Sequence, residues 1–155
     1  MRGRGEKLEP VRPLVSQWLT VGLVPHKVVH KTAALYAALE PADLSDGGLT
    51  ARAAACLNAG EPLRDELLVN TFGRAARQVF PGLADAWQIA ELALGRRLHL
   101  SGAGPALFLL ATDRTDAARS ARALGGIGFS TFVTRTVRHA RARANLASSL
   151  PIEYS

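Results

Sequence analysis

The feature that most limits how this 155-residue chain can fold is a glycine loop, Ser101, Gly102, Ala103, Gly104 and Pro105, set between the short apolar runs 97–100 and 106–111. A connection this tight returns the chain alongside itself, so the two runs predict an antiparallel strand pair. Glycines at alternate positions let backbone N–H groups approach a ligand or a neighbouring loop with no Cβ in the way, and Ser101 adds a hydroxyl. On spacing alone, a plain hairpin turn and a ligand-facing loop are equally good readings.

Other segments fill in the elements around this pair. Residues 14–24 carry Val15, Trp18, Leu19, Val21, Leu23 and Val24 and read as a buried strand halted at Pro25. Residues 31–39 place Leu35, Ala38 and Leu39 at helical spacing before Pro41. An Ala-rich helix follows over 49–58, closed by Gly60, and its alanines predict close packing against a neighbour. Residues 70–80 form an amphipathic helix with Phe72, Ala76, Val79 and Phe80 on one stripe and Arg74, Arg77 and Gln78 facing away. Pro81 and Gly82 break it, and 83–94 resumes the period with Ala86, Trp87, Ala90 and Leu94 until Gly95. After the strand pair, Thr112 or Asp113 caps a helix over 115–124 with Asp116 in its first turn, and Gly125 and Gly126 close it. Residues 129–137 alternate as a last strand.

That order is the split β-α-β-β-α-β scheme with an enlarged first crossover, so the expected fold is a ferredoxin-like α+β sandwich, an antiparallel sheet with helices on one face. Hydrophobic residues at 48% and charged ones at 21% match a soluble globular domain, and the length suits a single core. The lone Cys56 excludes an internal disulfide and reads as a small buried apolar residue. The start of the chain lacks a signal-peptide core and no apolar run approaches the ~20 residues that span a bilayer, so the expectation is a cytoplasmic protein with no membrane partner.

The net charge of +6 comes from 19 Lys and Arg, with much of the excess at the ends, in Arg2, Arg4, Lys7 and Arg12 and in Arg135, Arg138, Arg141 and Arg143. Such a balance favours anionic partners, whether nucleotides, phosphorylated metabolites or nucleic acid, without choosing among them. No aromatic interleaves with the C-terminal arginines, which argues against RNA and for a solvated, flexible tail over 139–155. His26, Lys27, His30 and Lys31 form a basic cluster that reads first as solvated loop charge and second as a place where a phosphate or carboxylate is held. His26 and His30 are four apart, yet Pro25 opposes a helix there and no third ligand is near, so no metal is expected. His99 and His139 have no recognisable partners and read as structural, and Ser101 does not meet the G-x-S-x-G form of a nucleophile elbow.

Four separated pieces, taken in order, carry a family resemblance. Gly3, Arg4, Gly5 and Glu6 followed by Leu8 resemble an interdomain junction, and Lys31, Thr32 and Ala33 with Leu35, Tyr36 and Leu39 resemble a K-T-A-x-L-Y-x-x-L helix. Asn70, Thr71 and Phe72 with Phe80, Pro81 and Gly82 resemble an N-x-F helix start and an F-P-G break. Residues Leu100, Ser101, Gly102, Ala103, Gly104 and Pro105 leading into Phe108 resemble the third conserved motif, S-G-S-G or T-G-S-G, with Ala103 in place of its middle hydroxyl. Together they resemble the C-terminal domain of the 4-diphosphocytidyl-2-C-methyl-D-erythritol kinases, within the GHMP kinase superfamily.

The resemblance implies phosphoryl transfer from ATP, with Mg, to a hydroxyl of a cytidine-diphosphate-linked methylerythritol in non-mevalonate isoprenoid synthesis. It implies that Ser101, Gly102, Ala103, Gly104 and Pro105 support the phosphate site and that Lys31, Thr32 and Tyr36 are candidates to line the cleft. Its partners would be an N-terminal kinase domain and an anionic, nucleotide-linked substrate. The family's G-G-G-L-G-G-G-S loop and its catalytic Asp and Lys belong to that N-terminal domain, and the sequence contains no such loop, so the expectation is a half-enzyme with no catalytic residue of its own and inactive alone. Residues 1–13 then read as the junction and 14–138 as the domain. Two alternatives remain: a non-catalytic binding or regulatory remnant of the same fold, and a nucleic-acid binder acting through the basic ends.

Overall fold

The computed structural model describes residues 10–12, 17–24 and 28–136. Its strands are β1 (Trp18–Leu23), β2 (His99–Leu100), β3 (Ala106–Ala111) and β4 (Ser130–Arg135), and its helices are α1 (Lys31–Ala37), α2 (Gly48–Ala59), α3 (Gly73–Val79), α4 (Leu83–Leu94) and α5 (Arg114–Gly126). The sheet runs β2-β3-β1-β4 with every neighbouring pair antiparallel. This is the split β-α-β-β-α-β arrangement, in which β3 inserts beside β1 after the long helical crossover.

Alternation along the strands decides which face is buried. Thr20, Leu100, Leu107, Leu109 and Ala111 are buried, and they meet Ala117 and Leu124 of α5, Leu83, Trp87 and Ala90 of α4, Ala75 and Ala76 of α3, Phe80 and Leu35 of α1. Each fully buried Leu or Phe in this set contributes about 1.5–3 kcal/mol relative to exposure. Thr20 is tolerated among them because its Oγ1 donates to the Ala117 carbonyl at 2.8 Å, which ties β1 to α5. On the opposite face Leu19, Val21, Phe108 and Leu110 are half-buried while Leu23 and Phe132 are exposed.

Several boundaries differ from the sequence reading, each for a local reason. The helix expected from residue 70 begins at Gly73, because the Asn70 Oδ1 accepts the Phe72 N–H at 3.0 Å and the Asn70 carbonyl accepts the Gly73 N–H at 2.9 Å. That Asx turn competes with helical bonding. β2 shrinks to its last two residues, with the Leu98 N–H donated to Glu91 Oε1 at 2.9 Å rather than to a strand. Asp113, not Thr112, caps α5 by accepting the Asp116 N–H at 2.8 Å. Gly125 and Gly126 lie inside α5, and the reversal falls at Gly128, with φ of 96°.

α2 has no fully buried residue, and Cys56 is only half-buried. Its alanines report intrinsic helix propensity rather than the close packing expected of them. Arg74, expected to face away on α3, instead holds the end of α1. Its guanidinium forks onto Asp43 in the turn Pro41–Asp43, with Nε at 2.9 and 3.1 Å from the two carboxylate oxygens, and its Nη2 donates to the Ala38 carbonyl at 2.7 Å. Glu40 lies 3.0 Å from the same side chain.

The Arg74 hydrogen bonds, followed by the Glu40 N–H, hold the Asp43 carboxyl at about 2, below its ordinary 3.8. A carboxyl lowered by folding stabilises the native state above its unfolded value, and that stabilisation disappears as pH falls toward the folded value. Asp43→Asn should therefore lower Tm at pH above about 5, and the gap to the parent should close between about pH 4 and 2. Paired thermal melts across that range check it, and a gap independent of pH contradicts it.

Candidate functional site

The glycine loop joins β2 to β3 and folds back on itself through two internal bonds, Ser101 N–H to the Ala106 carbonyl at 2.8 Å and Gly104 N–H to the Ser101 carbonyl at 3.0 Å. Gly102 and Gly104 take φ of 53° and 57°, the left-handed region that side chains disfavour. The Gly104–Pro105 peptide is cis and both residues are buried, whereas Ser101 and Gly102 are exposed. Ala103, which replaces a hydroxyl residue of the resembled motif, sets its methyl against the core cluster.

Two side chains from other elements reach the loop. Asn70, just before α3, donates through Nδ2 to the Leu100 carbonyl at 2.9 Å and to the Gly102 carbonyl at 2.8 Å. Lys31, the first residue of α1, donates through Nζ to the Gly104 carbonyl at 3.1 Å. The carbonyls of Leu100, Ser101, Gly102 and Gly104 are thus each taken by a donor. Among the described residues, the N–H groups of Gly102 and Ala103 have no acceptor. Two successive free backbone donors of this kind suit the oxygen of an anion.

Of the other expected site residues, Lys31 meets the loop, while Thr32 and Tyr36 are exposed on α1 beside an open depression that Val28, His30 and Ala33 also line. The Tyr36 ring stands edge-on to Phe72 with centroids 5.0 Å apart. On the other side of Asn70 a pocket of about 130 Å³ lies between Trp87, His99, Leu100 and Phe108. It is smaller than the roughly 300 Å³ at which drug-sized ligands begin to be accommodated.

A family model described as GHMP kinases C terminal matches residues 51–128, a span that contains both Asn70 and the whole loop. The chain belongs to the GHMP kinase family. A protein named 4-diphosphocytidyl-2-C-methyl-D-erythritol kinase from Dehalococcoides mccartyi strain BAV1 is 33% identical over 140 residues, covering 88% of this chain and 48% of its own length. The chain thus spans about half the length of the curated relatives it matches. A crystal structure of 4-(cytidine 5'-diphospho)-2C-methyl-D-erythritol kinase aligns with a TM-score of 0.65 at 28% identity, over 87% of this chain and 48% of that one. A homoserine kinase from Cytophaga hutchinsonii shares the fold, with a TM-score of 0.51 at 17% identity over 84% of this chain and 44% of that one.

In this GHMP kinase domain, His99 is not without a partner, as the sequence had implied. Its Nε2 lies 2.9 Å from Asp65 Oδ1, contributed by the turn Asp65–Leu67. His30 sits exposed at the start of α1, while His26, Lys27 and His139 lie outside the described residues, as do the junction segment up to residue 9 and the basic tail. The residue that the sequence reading undervalued is Asn70. It stood there as a motif letter at a helix start, and nothing in local sequence shows that its amide reaches carbonyls 30 and 32 residues ahead.

The two loop glycines separate conformational from steric demand. A Cβ on Gly102 would meet no heavy atom within 4 Å, whereas one on Gly104 would stand 2.9 Å from Leu100 Cδ1 and 3.4 Å from Phe80 Cε2. Gly102→Ala should cost about 1–2 kcal/mol from the left-handed backbone alone. Gly104→Ala should add about 1–3 kcal/mol of overpacking to that. Urea midpoints of the two variants test the order.

Proposed function

We propose that this chain is the C-terminal part of an ATP-dependent small-molecule kinase that phosphorylates a hydroxyl of a cytidine-diphosphate-linked methylerythritol, a step of isoprenoid precursor synthesis. The observation that carries the reading is the glycine loop, whose Gly102 and Ala103 N–H groups are free among the described residues while Asn70 and Lys31 take the carbonyls of Leu100, Gly102 and Gly104. Two successive amides of this kind suit a phosphate oxygen. The 33% identity to kinases named for this activity supports the choice of substrate.

Phosphoryl transfer asks the protein to position reactants and to neutralise charge. In this reading the two amides hold an oxygen of the phosphate chain, and the Ser101 hydroxyl stands next to them as a further donor. Lys31 brings a positive charge to the same loop while its Nζ is engaged at Gly104, and Thr32 and Tyr36 line the substrate side of the cleft. ATP supplies the phosphoryl group, and its binding loop and the catalytic residues come from an N-terminal kinase domain, the expected partner. Among the described residues no cluster of three or more His, Cys, Asp or Glu side chains is placed to hold a metal ion, so no step is assigned to Mg here. No helix among the described residues is long and apolar enough to cross a membrane.

The test is complementation between separately purified halves. This chain is mixed with the N-terminal kinase part of the Dehalococcoides mccartyi relative, ATP and 4-diphosphocytidyl-2-C-methyl-D-erythritol, and ADP release is followed. Turnover by the mixture and none by this chain alone is the expected outcome. Stable association without turnover, or no association, favours the non-catalytic remnant. Association with nucleic acid that weakens steeply with salt would favour the basic-end alternative.

A further inference from the structure

Asn70 directs three side-chain hydrogen bonds to backbone. Both Nδ2 protons go to the loop, at 2.9 Å to Leu100 and 2.8 Å to Gly102, and Oδ1 accepts the Phe72 N–H at 3.0 Å. The orientation of the amide follows from these partners, since a flipped side chain would set an oxygen against two carbonyls and an NH2 group against an N–H. One side chain thereby joins the start of α3 to the end of β2 and to the tip of the loop. Among the described residues, the loop's other hydrogen bonds are two internal ones and the one from Lys31, and its packing on the core falls at Ala103, Gly104 and Pro105 rather than at Gly102.

We propose that Asn70 is the positioning residue of the glycine loop: by bridging the Leu100 and Gly102 carbonyls it holds the backbone in the form that leaves the Gly102 and Ala103 N–H groups together as a preorganised donor pair. A peptide that swings exchanges the places of its C=O and N–H. The Gly102 carbonyl belongs to the same peptide as the Ala103 N–H, so anchoring that oxygen on Asn70 sets the direction of that donor. Without the anchor, Gly102, which meets no steric barrier, is free to sample other conformations. Preorganisation matters here because donors already aligned need no reordering when charge develops in the transition state. The role assigned to the donors rests on the kinase reading above, whereas the restraint itself is a property of the free domain.

Two substitutions isolate the bridge. Asn70→Ser stays neutral and keeps an oxygen for the Phe72 N–H in the related serine turn, but is too short to span both carbonyls. Asn70→Asp keeps the shape and the acceptor and loses the donors. In the free 155-residue chain, 15N relaxation should give Gly102 and Ala103 the order parameters of rigid backbone, about 0.85, and both variants should drop them below about 0.6 while Leu107 and Leu109 stay unchanged.

A loop that stays rigid in either variant overturns the proposal, as does one already mobile in the parent. Loss of order throughout β3 also overturns it, since Asn70 would then serve the fold at large. Inorganic pyrophosphate then probes the donors. Shifts at the Gly102 and Ala103 amides should titrate at least fivefold more weakly in Asn70→Ser than in the parent, and equal affinity counts against the proposal. If the parent shows no response to pyrophosphate, the phosphate reading of the loop fails, and the positioning role stands or falls on the relaxation data alone.

Discussion

β1 is the strand on which the rest of this domain depends, because it lies between two antiparallel partners, β3 and β4. Six residues of β1 pair with Ala106–Ala111 on one side and with Ser130–Arg135 on the other, so both bonding edges are satisfied along its length. These contacts join residues about a hundred positions apart in sequence, from Trp18 to Ala111 and to Arg135. Closing such a loop costs entropy that grows only slowly with its length, which is why four helices can be inserted in the crossover without disturbing the sheet. Once β3 is in place beside β1, the loop that precedes it has a fixed base.

From that base, the helical layer acts on the loop through polar contacts rather than apolar packing alone. Arg74 locks α3 against the end of α1 through Asp43 and the Ala38 carbonyl, so Asn70 and Lys31, which lie near the starts of these helices, are held in a common frame. Both then donate to loop carbonyls. A partly buried loop must satisfy its backbone polar groups, and here the carbonyls of Leu100, Ser101, Gly102 and Gly104 are met from within the domain while the Gly102 and Ala103 N–H groups have no acceptor among the described residues. The two successive N–H groups of Gly102 and Ala103 are what the proposed phosphate contact draws on. The opposite end of β3 is secured in a similar way, with Arg96 donating to the Leu110 carbonyl and to Asp116, whose carboxyl is lowered first by the Thr112 N–H and then by Arg96.

Much of this was legible in the sequence because apolar periodicity is a direct trace of burial. α4 and β3 fall where their patterns put them, with Trp87 and Ala90 buried on one helix and Leu107 and Leu109 on one strand. The reading failed where a side chain redirected a backbone bond, at Asn70 and Phe72 before α3 and at Glu91 and Leu98 before β2. Hydrophobic spacing is blind to such bonds. It also misjudged α2, since alanine favours helix whether or not a neighbour covers it.

The sequence by itself determined the order of elements, the antiparallel hairpin and the glycine loop within it, because these follow from local spacing and from residues that alone tolerate the required backbone. It also carried the family, through four separated pieces whose order cannot be read from any one of them. Only the tertiary structure decided what the loop offers. Whether a carbonyl or an N–H is free depends on partners that are distant in sequence, and Asn70, Lys31 and Arg74 are brought to their places by packing that local residue preferences do not encode.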